Sequence, residues 1–375
     1  MSFKQRIKQN LINIPGWRTR RKIVVFESDD WGMIRMASNK AYERLRKKGY
    51  PLDQCAYNRN DALESNDDLR GLMEVLHRVK DKNGRPAKFT INNIVANPDF
   101  QRIRESKFQR YFYEPFTTTL RSYPHTNQVM ELYREGMEAG VFQTQFHGRE
   151  HVHVNNWLKA LKRNEALFLD AFEENMFTLS KGINSSCTKE CLDAMGAYNE
   201  DDKHIVVQSL REGASLFHSI WGFYSKSIIA PCYTWDSKLE RYFNENRFEF
   251  IQGSRAQRQP IHPEKKKEIK RHYMGSKSKN GLLYLIRNVS FEPSTNVNKD
   301  WVDSALKEIK MAFRWQKPAI VSTHRVNYIG RINSKNRDQN LRLLKNLLTA
   351  LVREWPEIEF ISTDHLGSLM KNSEN

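Results

Sequence analysis

The sequence predicts an α/β protein of the (β/α)7–8 barrel kind. Three observations carry that expectation. About eight short apolar runs alternate with stretches of helical periodicity, and strand–helix alternation implies a parallel sheet. A chain of 375 residues suits one elaborated barrel, and it contains neither an internal repeat nor a long Gly/Ser/Pro linker. Five of the apolar runs stop at polar, titratable or aromatic residues, and barrels build their sites at strand ends.

The first strand is expected at 22–27, where Ile23 to Phe26 form a continuous apolar run. Helical spacing follows at 39–48 and 66–80, a turn at 83–86 (Asn-Gly-Arg-Pro), and a strand over 87–95. A helix at 126–139 stops at Gly140, and 141–146 reads as a strand. Trp157, Leu158, Leu161 and Phe168 predict one long helix over 155–176. Beyond it come a helix at 202–220, a strand at 227–230, a helix at 236–246 and strands at 247–252 and 282–288. The pattern closes with a helix at 300–315, a strand at 318–323, a helix at 336–354 and a strand at 357–362. The expected organisation is a basic segment at 1–21 and a single domain over 22–375 with a basic insertion near 264–279.

A charged fraction of 28% argues for a protein in water, and no run approaches the length of a membrane span. The N-terminus lacks the apolar core of a secretory signal, so a cytoplasmic location is expected. Cys55, Cys187, Cys191 and Cys232 are few and unevenly spaced, which suits free thiols. The net charge of +17 is concentrated: residues 1–22 hold seven Lys/Arg and no acid, and residues 264–279 hold seven Lys/Arg against two Glu. Such runs are commonly just solvated. Phe3, Ile7, Leu11 and Ile12 nevertheless share a helical face, which suits peripheral contact with the inner face of a membrane. No zinc-finger, RRM or helix-turn-helix pattern supports specific nucleic-acid binding.

The chemistry lies at the strand ends. The first strand ends in Ser28-Asp29-Asp30, another in His147-Gly148-Arg149-Glu150-His151, and a late one in His324. Histidines four apart share a face if their turn is helical, about 5–6 Å apart at Cβ, a spacing that suits two ligands of one metal ion. His153 would then point elsewhere. Neighbouring carboxylates at a strand end diverge, so one aspartate can meet a metal while the other acts as a base. Taken alone, either could be a helix cap. A histidine such as His324 at a strand end can protonate a leaving group.

This set resembles the polysaccharide deacetylases, the NodB-homology domains of family 4 carbohydrate esterases. An Asp-Asp pair after the first strand, His-x3-His, a Pro-aromatic segment and a late Ser-Thr-His occur in that order across roughly 22–330. The resemblance implies a distorted barrel of the glycoside hydrolase/deacetylase type. It implies a divalent metal, usually zinc, on Asp30, His147 and His151, with Asp29 as general base and His324 as general acid. It places substrate and oxyanion contacts at Pro231, Cys232, Tyr233 and Trp235, and it implies an acetylated glycan, neutral or acidic, as substrate. Two departures mark a divergent branch. Gly148 stands where the family carries Ser or Thr, and Ile229 or Ala230 stands where it carries an arginine that orients the base. Lys226 or Arg287 could supply that cation; Arg287, Asn288, Glu292 and Asp300 are candidates for the surrounding shell, with Glu292 or Asp300 as partner of His324.

Two other readings fit parts of the pattern. Residues 147–151 match His-x-x-Glu-His, the inverted zinc-protease motif with Glu150 as base, but that motif needs a continuous helix. A non-catalytic protein gripping an acidic glycan would account for the charge alone.

Overall fold

A computed structural model describes residues 3–180, 191–260 and 268–373. Cys187 and the start of the basic insertion lie outside the described residues. Nine strands form the principal sheet: β1 (Ile23–Trp31), β2 (Phe89–Ile94), β3 (Phe142–Gly148), β4 (Ser227–Ile229), β5 (Phe250–Gly253), β6 (Leu283–Ile286), β7 (Val289–Ser290), β8 (Ala319–His324) and β9 (Glu359–Phe360). Their order is β6-β5-β4-β3-β2-β1-β8-β7, with β9 beside the start of β1, and every pairing is parallel.

The two edges of this sheet belong to one stretch of chain. β6 pairs with β5, and β7, two residues later, pairs with β8. Arg287 N–H still reaches Gly253 O at 2.9 Å, whereas Asn288 N–H reaches Ile320 O at 3.2 Å. Counted as one broken strand, Leu283–Ser290 makes the sheet a curled, barrel-like ring of seven with β9 as an addition. The strand expected at 282–288 is thus the seam. The side chain of Asn288 fastens it, donating to Pro318 O at 2.9 Å and accepting from Ile320 N–H at 2.8 Å.

Most helices fall where the periodicity puts them, including Asn66–Arg78, Glu200–Trp221, Trp301–Arg314 and Ser334–Glu354. The single helix expected over 155–176 is instead two, Val154–Lys162 and Ala166–Glu173. The chain turns at Asn164, whose φ of 54° is left-handed, a conformation Asn tolerates better than most residues. Two hairpins were not anticipated: Ala96–Pro98 with Tyr113–Pro115, and Ala256–Gln259 with Glu268–Arg271.

The N-terminal segment forms a helix, Phe3–Asn13, against the seam. Asn13 accepts from Asn288 Nδ2 at 2.8 Å, and Asn10 accepts from Trp315 Nε1 at 2.8 Å. Lys317 donates its ammonium to the carbonyls of Gly16 and Trp17. No described helix is long and apolar enough to cross a membrane.

Candidate metal centre

The interior of the ring is polar, and that polarity begins with Glu27 and Asp29. Strand period two puts both on one face of β1. Both are buried, and Arg287 at the end of β6 serves both. Its Nε donates to Glu27 at 2.6 Å, while Nη1 and Nη2 each donate to a different oxygen of Asp29 at 2.7 Å. Of the two cations considered, Arg287 contacts Asp29 and Lys226 is exposed. Burial alone would raise the pKa of Asp29. The Arg287 charge and hydrogen bonds overcome this, with His147 and His324 adding to them, and hold the carboxyl at about 2. For Glu27 burial prevails and its pKa is raised.

Asp30 parts from Asp29 through its backbone. The β1–β2 register shifts between Ser28 and Trp31, and Asp30 has a φ of 77°. This bulge turns its carboxylate to the imidazoles of His147 and His151. Asp30 Oδ1 lies 3.4 Å from His147 Nε2 and 3.6 Å from His151 Nε2. Burial opposes ionisation of Asp30, but the hydrogen bond from His147 and the histidine charges hold its pKa low. Burial drives His151 down to about 4, with Asp30 opposing.

Asp30, His147 and His151 fit a metal ion. Their three donor atoms lie within 4.8 Å of one another. Tetrahedral bonds of about 2.0–2.1 Å would separate ligand atoms by about 3.3–3.4 Å. The Nδ1 of His147 faces Ile229 O at 3.0 Å, so a proton there leaves Nε2 free to ligate.

The histidines do not meet on a helix. His147 is still in β3, and the next helix begins only at Val154. Gly148 allows the reversal: its φ is 128°, and a Cβ there would stand 3.2 Å from Glu150 O. A side chain would be strained, which accounts for glycine where the resembled family has Ser or Thr. Glu150 turns away to a buried ion pair with Arg149 and accepts from Ser209 Oγ at 2.7 Å. The inverted protease motif therefore has neither its helix nor a free Glu150. His153 caps the helix Val154–Lys162, accepting from Asn156 N–H at 3.3 Å.

His324, at the end of β8, lies 3.7 Å from Asp29 Oδ2. Its Nδ1 meets Glu292 at 2.6 Å, and Asn327 Nδ2 donates to the other Glu292 oxygen at 2.7 Å. Burial would lower the pKa of His324, but the charge and hydrogen bond of Glu292, then Asp29 and Asp30, raise it well above its ordinary value. Asp300 is not this partner: it caps the helix Trp301–Arg314, accepting from Asp303 N–H at 2.9 Å.

The Pro-aromatic segment divides. Pro231 opens a turn in which Cys232 and Tyr233 have φ of 57° and 53°. Tyr233 OH accepts from Arg287 at 3.1 Å, but its N–H is engaged by Ala230 O at 3.0 Å and is not the expected oxyanion donor. Trp235 is buried in packing, with Nε1 donating to Glu240 at 3.0 Å, and so is not a substrate surface.

The sequence reading missed several neighbours. Asn92 donates to Asp29 Oδ1 at 2.8 Å and shares bonds of 2.8 and 2.9 Å with Gln252. Gln252 continues to Ser227 at 2.8 Å, and Ser227 to Gln145 at 2.7 Å. The available signal was an amide at an inward position of successive strands. Tyr57 presents its ring edge-on to His324 at 5.7 Å. Burial, then the charges of Glu292 and Asp30, raise its pKa well above normal, so its hydroxyl stays protonated.

No protein-family model and no curated protein matches the chain. Solved structures do. One from Parabacteroides distasonis, described as a "putative glycoside hydrolase/deacetylase", aligns with a TM-score of 0.50 at 8% identity, over 96% of this chain and 73% of that one. A "putative polysaccharide deacetylase" from Mycobacterium smegmatis gives a TM-score of 0.43 at 11% identity, over 96% and 94% of the two chains. A "probable polysaccharide deacetylase" from Pseudomonas aeruginosa PAO1 gives 0.46 at 10%, over 93% and 91%. The likeness to the first of these is one of fold: a curled parallel sheet wrapped in helices.

Proposed function

We propose that the protein is a metal-dependent deacetylase of the NodB-homology type, hydrolysing acetyl groups from a glycan or glycan precursor. The division of labour between Asp29 and Asp30 carries this reading. Asp30 faces two imidazoles at ligand-like separations, while Asp29 is clamped by Arg287 within reach of His324.

Asp30, His147 and His151 would hold the ion, and two imidazoles with one carboxylate suit zinc. A divalent ion there supplies Lewis-acid polarisation of a carbonyl and acidifies water. Asp29, kept ionised by Arg287, takes a proton from water as its oxygen bonds to the acetyl carbon. His324, kept protonated by Glu292, gives a proton to the sugar nitrogen or oxygen as its bond to that carbon breaks. Acetate and the free amine or hydroxyl leave. Cys55 and Cys191 are free thiols among the described residues, which suits a reducing compartment and a cytoplasmic location.

Acetate release should be measured across N- and O-acetylated oligosaccharides, with acetylated peptides as controls, alongside metal content. Asp30→Ala and His147→Ala are expected to lose metal and activity together. Full acetate release by a metal-free Asp30→Ala protein would overturn the reading. Salt-dependent glycan binding without turnover would favour the non-catalytic alternative.

A further inference from the structure

The described parts of the two basic segments lie some 250 residues apart in sequence but touch each other. Gly16 and Met274 form a parallel bridge, and Trp17 N–H donates to Met274 O at 2.7 Å. Arg255, at the root of the second hairpin, donates to Leu11 O at 2.6 Å, and its guanidinium lies 5.3 Å from the Tyr273 ring centre.

The described side chains of the helix Phe3–Asn13 show an unusual division. Its buried side chains include the polar Gln9 and Asn13, while Ile7 and Leu11 are 45% and 52% exposed. Ile14 just beyond is 40% exposed. Positions 7, 11 and 14 share one helical face. On the hairpin segment Ile269 and Tyr273 are 49% and 37% exposed. Seven large hydrophobic residues are exposed among the described residues, and these two segments hold five of them. Arg18, Arg20, Arg271 and Lys279 are exposed on the same segments.

We propose that this face docks on the surface of an anionic phospholipid bilayer. Apolar side chains beside cations suit the boundary between acyl chains and negatively charged headgroups, where both contribute. A nucleic acid or acidic polysaccharide would meet the charge but leave the five apolar side chains in water. A second copy would bring one strongly basic face against another. The contact is peripheral, since no described helix can cross a membrane. The proposal is independent of the reading of the metal centre.

The test is co-sedimentation of the full chain with vesicles of phosphatidylcholine, alone or with about one-third phosphatidylglycerol, at low and high salt. Binding is expected to the anionic vesicles at low salt and to weaken about tenfold or more on neutral vesicles or in high salt. Ile7→Asp with Leu11→Asp should cut binding about tenfold or more, as should Arg18→Glu with Arg271→Glu, with melting temperature unchanged because these side chains are exposed. Equal binding to neutral and anionic vesicles, or binding unaffected by the aspartates, would overturn the proposal. So would a dimer that the aspartates dissociate, or heparin or DNA binding without vesicle binding.

Discussion

Glu27 and Asp29 are buried carboxylates two residues apart, and one guanidinium pairs with both. Arg287→Ala would leave them facing each other without a counter-charge, a situation that costs about 3–5 kcal/mol. Urea denaturation should show that loss, and Glu27→Gln added to it should recover part. Arg287→Lys keeps the charge but not the paired hydrogen bonds on Asp29. It should retain metal and lower kcat about 10²-fold, measured as acetate release with metal analysis. His324 yields a prediction with a definite sign. Its raised pKa keeps the acid form through neutrality and loses it only as pH rises through that raised value. Glu292 is the largest raising influence, so Glu292→Gln should move the alkaline limb of the kcat/KM profile to lower pH. An unmoved limb would remove His324 as the acid. Asp29, Asp30, His147, His151 and His324 were legible because each stands at the end of an apolar run. Asn92 and Tyr57 were not, since their roles depend on neighbours distant in sequence.

Two elements depend on left-handed residues that periodicity cannot register. The 155–176 stretch keeps its apolar spacing across Asn164, yet the chain breaks there into two helices. The other element is the turn from β3 to His151. Histidine spacing suggested a helical face; a glycine reversal brings the rings to 5.2 Å between centroids instead. The pairing was readable and its backbone was not, because i and i+4 can meet by more than one path. Gly148→Ser should therefore be harmful despite matching the resembled family. It forces a side chain to a φ of 128° beside Glu150 O and should cost about 1–3 kcal/mol in thermal or urea unfolding. It should also weaken metal binding, measured by competition with a chelator, because Gly148 sets the approach of His151 to His147.

At the scale of the whole molecule, the alternation of strands and helices was enough to predict a barrel, but not how the ring closes. Closure depends on one segment pairing on both sides, and a run such as Leu282–Asn288 reads the same whether it pairs on one side or two. The N-terminal segment, readable as charge with one apolar helical face, is a strap across that seam. Arg21 ends the strap, donating to Glu359 of β9 through Nε at 2.8 Å and Nη2 at 2.7 Å. The Arg21 hydrogen bonds, with burial opposing and Lys82 assisting, lower Glu359 to about 2. An unfolded glutamate takes up its proton near pH ~4.3. The pair therefore stabilises the fold fully above that pH, and the contribution fades as pH falls toward 2. Arg21 is largely exposed, so the gain is modest, about 1 kcal/mol or less. Glu359→Gln should melt below the natural protein at pH 7, and the two curves should converge as pH approaches 2. Asp29, also held at about 2, keeps its own acid dependence in both proteins and cancels in the difference. A gap that persists undiminished at low pH would mean that the strap is held by packing and not by this ion pair.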